Sequence, residues 1–156
     1  LDVAHTDLNV LSDHLITLAQ QMLEEHGGFP PFGAAVASDG KLHLYAADNG
    51  QSSRPLIEVL TAQLRSLAAE RVIRASGICF GVVVKSIQHA KEAKEAKEAK
   101  EAKENDAIQC RLEHSDGEGT DVFLLYSKSP SGEIRYDDLR TTQLERCTRS
   151  VFPNLQ

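Results

Sequence analysis

Residues 28–50 read GFPPFGAAVASDGKLHLYAADNG, and this stretch decides the fold. Pro30-Pro31 forbids helix just before the strands, because proline lacks the N–H and its ring blocks the preceding turn. Phe32–Ala37 and Leu42–Ala47 are short strand-like runs, and Asp39-Gly40 between them is a hairpin turn signal. Asp48-Asn49-Gly50-Gln51-Ser52 is loop. The stretch is a β-hairpin set between two helical patterns.

Upstream, Leu8, Leu11, Leu15, Leu18 and Met22 recur at helical spacing, with Ile16 and Leu23 widening the stripe. Gly27-Gly28 ends that helix by supplying a left-handed C-cap. Downstream, Ser53 caps a second helix with Pro55 in its first turn. Its predicted buried face is Leu56, Val59, Leu60, Leu64 and Leu67. Ile78–Val84 is a continuous apolar run, the pattern of a central strand covered on both faces. Ile108, Cys110 and Leu112 alternate with Gln109, Arg111 and Glu113, which predicts a half-buried strand. Ser115–Gly119 turns into Val122–Tyr126, and Ser129–Gly132 turns into a last short strand, Glu133–Tyr136. From Asp137 the pattern suggests a short helix and a tail pinned by Val151 and Phe152.

The predicted order is α-β-β-α-β-(insert)-β-β-β within one domain, residues 1–156. The class is α/β (α+β), with a mainly antiparallel sheet of five or six strands and two packed helices.

The insert, Ala90–Glu104, is five copies of Ala-Lys-Glu, all good helix formers. A three-residue period moves each Ala about 60° round a helix, so no apolar stripe forms. The expectation is a solvated single helix of roughly 22 Å. It reads either as a spacer or as a tolerated expansion or engineered replacement of a loop between adjacent strands. The latter is favoured, since closure entropy rises slowly with loop length.

A chain of 156 residues is long enough to bury a core, which must rest on Leu, Val, Ile and Ala because there is no Trp and aromatics are 5%. Net charge is −6; setting aside the repeat's Lys and Glu leaves 12 basic against 18 acidic residues. An acidic body argues against nucleic-acid binding, which needs many phosphate contacts from Lys and Arg. Three widely spaced cysteines (Cys79, Cys110, Cys147) without a CxxC fit a reducing, cytoplasmic setting. No apolar run approaches the roughly 18 residues of a membrane span. Leu1 to His5 carries no signal-peptide pattern, and the absence of an initial Met reads as a trimmed start.

The amphipathic helix, Pro31-Phe32-Gly33-Ala34-Ala35-Val36, Asp39-Gly40, Asn49 and the second helix together resemble the front half of the cytidine/tRNA-adenosine deaminase superfamily. That family opens its second helix with His-x-Glu, the His binding zinc and the Glu moving protons. The matching slot here is Leu56-Ile57-Glu58, and the family's Pro-Cys-x-x-Cys is missing. Zinc catalysis requires three fixed ligands, so no metal and no cofactor are expected. What the resemblance leaves is a zinc-free pocket of Phe32, Asn49 and Glu58, with Glu58 its one candidate catalytic group. The order of elements is also similar to profilin-like and roadblock-type domains, whose usual work is dimerisation and scaffolding.

Other constellations have plainer readings. Cys110 and His114 lie about 13 Å apart on a strand, too far for a thiolate–imidazole pair. Cys147 between Arg146 and Arg149 has a setting that favours thiolate, yet a structural or exposed thiol is the commoner case. Asp116 to Asp121 lacks the ligand density of a calcium loop. Asp137-Asp138 has no third catalytic partner, the six histidines show no ligand spacing, and Arg65, Arg71, Arg74 and Lys85 read as ordinary mixed surface. The sequence therefore points to a non-enzymatic protein-interaction domain: a homodimer, a scaffold or an immunity-type partner of another protein, with no membrane or nucleic-acid role. The alternative is a nucleoside- or nucleotide-binding relative of the deaminases using Glu58.

Overall fold

The computed structural model describes residues 3–46, 53–85, 104–143 and 151–152. Its elements are α1 (Val3–His26), β1 (Phe32–Ala37), β2 (Leu42–Ala46), α2 (Ser53–Ala69), β3 (Ile73–Lys85), β4 (Glu104–His114), β5 (Gly119–Lys128) and β6 (Ile134–Gln143). The strands form one antiparallel sheet in the order β2-β1-β3-β4-β5-β6. The class is α+β, and the elements follow the predicted order. All but the last residue of the Ala-Lys-Glu repeat lie outside the described residues; Glu104 opens β4 opposite Lys85, so the repeat joins two neighbouring strands. No helix among the described residues is long and apolar enough to cross a membrane.

The two helices occupy opposite faces of the sheet. Alternation along β1 sends Phe32, Ala34 and Val36 into the core under α1, while Ala35 joins the core under α2. On the first face α1 supplies Leu8, Leu11, Leu15, Ala19 and Leu23, which meet Cys79, Ile108, Cys110 and Leu112. Each fully buried leucine contributes about 1.5–3 kcal/mol. The fit is closest at Gly77, where an added Cβ would lie 2.6 Å from Leu15 Cδ1 and 2.8 Å from Leu112 Cδ2. On the second face Leu60 and Leu64 of α2 pack on Ile73 and Ile78, joined by Val151 and Phe152. The expected pinning of the tail by these last two residues is thus observed. Val59, expected in the α2 core, is 45% exposed, because α2 lies mainly over β1 and β3 and buries a narrow stripe.

One turn geometry closes three hairpins. Ala37 N donates to Lys41 O at 2.8 Å, His114 N to Glu118 O at 2.8 Å and Ser129 N to Glu133 O at 2.8 Å. In each, the third loop residue is a glycine with positive φ: Gly40 (91°), Gly117 (105°) and Gly132 (89°). This is the three-residue loop in which a tight turn is followed by a left-handed residue, a conformation costly for side chains with a Cβ.

Three expectations are corrected. The apolar run of β3 is buried at Ile78 and Cys79 but emerges at Gly81 and Val83, since the helices cover only its first half. β4 is not half-buried: Gln109 and Glu113, read as outward-facing, are both buried. Finally, β6 is ten residues long, so Asp137–Gln143 is strand and not helix. The equally long β5 offers backbone partners along this length, and pairing overrides weak local propensity. A bulge sets Asp137 and Asp138 opposite the single residue Leu125 and absorbs the mismatch.

Candidate functional site

Of the residues expected to share a pocket, Phe32 and Glu58 lie on opposite faces of the sheet. Phe32 is buried under α1, with Phe29 edge-on to its ring at 5.8 Å. Glu58 is exposed on α2, across the sheet. Asn49 lies outside the described residues, as does Cys147. Leu56, in the slot where the deaminase pattern has histidine, is buried. Among the described residues no group of three or more His, Cys, Asp or Glu side chains is placed to hold a metal ion.

A polar cluster instead forms at the start of α1. A bulge in the β1–β3 pairing leaves Arg74 unpaired between Ile73 and Ala75, and its side chain reaches Asp7 of α1. Arg74 Nε and Nη2 donate to Asp7 Oδ2 at 2.8 Å and Oδ1 at 3.0 Å. His114 Nε2 lies 2.9 Å from the same Oδ2, and the Asp116 amide donates to His114 Nδ1 at 3.1 Å. That amide fixes the tautomer: Nδ1 accepts, so Nε2 carries the proton and donates to Asp7. Burial raises the Asp7 pKa, but the hydrogen bonds from Arg74 and His114 and the charge of Arg74 outweigh it and hold the carboxyl below its usual range. Both imidazole nitrogens are engaged, so His114 has no free site with which to activate a nucleophile. The cluster is a brace between α1, β3 and the β4–β5 turn.

Sequence reading missed Asp7, although one signal was available. Asp7 lies three residues after Ala4 and four before Leu11, on the buried stripe of α1. A charged residue on an apolar stripe demands a partner.

The opposite face holds a second buried polar set. The Glu113 carboxylate accepts from Val151 N at 3.1 Å and Phe152 N at 3.1 Å. Beside it, Arg111 Nε donates to Asp121 Oδ1 at 3.1 Å and Gln109 Nε2 to the same oxygen at 3.3 Å. These contacts explain why the polar half of the β4 alternation is buried. Cys79 and Cys110 stand directly opposite each other on β3 and β4, both fully buried, and burial pushes the Cys79 thiol well up. A protonated thiol in an apolar core is inert as a nucleophile.

An open groove of about 1080 Å³ lies beside α1. α1 packs on β1, β3 and β4, and the core it caps extends to Val122 and Leu124 of β5. On β6 the same face, at Leu139, Thr141 and Gln143, is exposed and lies under no helix among the described residues. Register places Leu139 beside Leu124, Thr141 beside Val122 and Gln143 beside Thr120. Leu8, Asn9, Ser12 and Asp13 of α1 form one wall, and Gly117 and Glu118 of the β4–β5 turn close one end. Leu139 on the floor is 54% exposed.

In comparisons with known proteins the chain matches no family model, no curated protein and no solved structure.

Proposed function

We propose that this chain is a non-catalytic protein-interaction domain, acting as a scaffold, a dimerising unit or an immunity-type partner. The observation that carries the reading is the open groove beside α1, whose outer strand β6 lies under no helix among the described residues and exposes Leu139. An antiparallel sheet can leave one face in water, but a concave groove with an exposed leucine set in a polar rim is the kind of surface a partner covers. The nucleoside-binding alternative draws no support from geometry, since Phe32 and Glu58 lie on opposite faces.

The test pairs two measurements on the purified chain. Nucleosides and nucleotides are screened for a thermal shift, because a ligand bound to the folded state raises the melting temperature. Sedimentation across a wide concentration range, alone and with candidate proteins, reports self-association or complex formation. A reproducible nucleoside-induced rise in melting temperature would sink the interaction reading.

A further inference from the structure

We propose that the groove beside α1 receives one amphipathic helix of a partner protein, with its apolar ridge on Leu139 and its lysines or arginines against Asp13 and Glu118. This rests on the interaction reading and specifies the surface and the chemistry of the occupant. Size is the first support. Two strands span roughly 10 Å across a sheet, the diameter of one helix. The α1 wall from His5 to Asp13 is about 12 Å long, and Leu139 to Gln143 spans about 13 Å, so the groove matches some two helical turns.

Charge is the second support. Two carboxylates, Asp13 and Glu118, line the groove, while no Lys or Arg does so among the described residues. Neither carboxylate makes an ion pair among the described residues. Glu118 sits at the turn next to the Asp7–His114 brace, and Asp13 lies six residues further along α1, about 9 Å away along the axis. A helix with cations spaced by about two turns meets both, in the groove-binding mode that reads a helix by its face.

The same charges argue against a second copy of α1 as the occupant. α1 has no Lys or Arg, and its exposed carboxylates, Asp13, Glu24 and Glu25, would confront the acidic rim. The edge strand β6 is also guarded against simple strand pairing by its bulge and by Arg135, Asp137, Asp138 and Arg140.

The experiment uses two synthetic amphipathic helical peptides of equal length, one of leucine and lysine and one of leucine and glutamate. Amide resonances of the whole chain are followed at physiological salt, where distant attraction is screened. The expected result is that the Leu/Lys peptide shifts residues of α1, Thr120–Val122 and Leu139–Gln143, and the Leu/Glu peptide does not. Combining Asp13→Lys with Glu118→Lys, both at exposed sites, should weaken the Leu/Lys peptide about tenfold or more while leaving the spectrum of the free protein folded. Equal binding of both peptides in the groove, or no effect of charge reversal, overturns the cationic-helix inference and leaves the interaction reading standing. Shifts elsewhere, or none, overturn it too. Nucleosides shifting the groove where neither peptide does would remove both readings.

Discussion

Asp7 and Arg74, 67 residues apart in sequence, are joined by a two-pronged hydrogen-bonded ion pair, at 2.8 and 3.0 Å. The pair ties the start of α1 to the start of β3, beside the groove. Asp7→Asn keeps the shape but strips Arg74 and His114 of their anion. Breaking a fully buried pair costs about 3–5 kcal/mol, and Arg74 retains 34% side-chain exposure, which lets water compensate in part. The expected loss is about 2–3 kcal/mol, read as a lower urea midpoint. An unchanged midpoint would mean that packing alone holds α1.

The same carboxylate sets an acid limit. Its folded pKa lies below the ordinary value of 3.8, so folding favours the ionised form. A lowered carboxylate pKa gives stability that is fully present above the unfolded value and lost as pH falls through the folded one. The melting temperature of the native chain should therefore fall as pH drops below about 4, more steeply than that of Asp7→Asn. Parallel curves for the two proteins between pH 6 and pH 2 would show that other carboxylates account for acid unfolding.

Glu113 makes a different kind of tie. Its carboxylate accepts the amides of Val151 and Phe152, and those side chains complete the core under α2. Glu113→Ala removes both acceptors and leaves two N–H groups buried without partners, at about 1–3 kcal/mol for each group left unsatisfied. Hydrogen exchange is the sharper readout: the Val151 and Phe152 amides should lose protection while those of Leu11 and Leu15 keep it. Retained protection at Val151 would show that apolar contacts suffice to hold the tail.

The contrast between what was legible in the sequence and what was not follows from where each signal resides. Hairpins announced themselves through Asp39-Gly40, Asp116-Gly117 and Ser131-Gly132, since a positive φ is a local demand that only a few residues meet. Helix faces were legible at Leu11, Leu15, Leu60 and Leu64 because periodicity is local too. The polar brace was not, because Asp7, Arg74 and His114 are distant in sequence and meet only through the β3–β4 pairing and a bulge at Arg74. β4 misled for the same reason: Glu113 alternates like a solvent-facing residue, and only the return of Val151 and Phe152 buries it. Phe32 and Glu58 part company because alternation along β1 turns Phe32 toward α1, while Glu58 sits on the helix of the other face.

Arg71 offers a test of backbone strain at the end of α2. It has φ of 61°, the one non-glycine residue with positive φ among those described. Val72 N donates to Leu67 O at 3.0 Å and Arg71 N to Ala68 O at 3.0 Å, the paired bonds of a helix end that glycine normally closes. Ser38 Oγ also donates to Arg71 O at 2.6 Å, so the β1–β2 turn holds this backbone in place whatever the side chain. Relieving left-handed strain is worth about 1–2 kcal/mol, and the greater freedom of an unfolded glycine takes back about 0.4–1. Arg71→Gly should therefore stabilise the chain by about 0.5–1 kcal/mol, while Arg71→Ala, which keeps the Cβ, should not. Calorimetry on the three proteins decides it, and a glycine variant less stable than the alanine one would show that the arginine side chain contributes more than the strain costs.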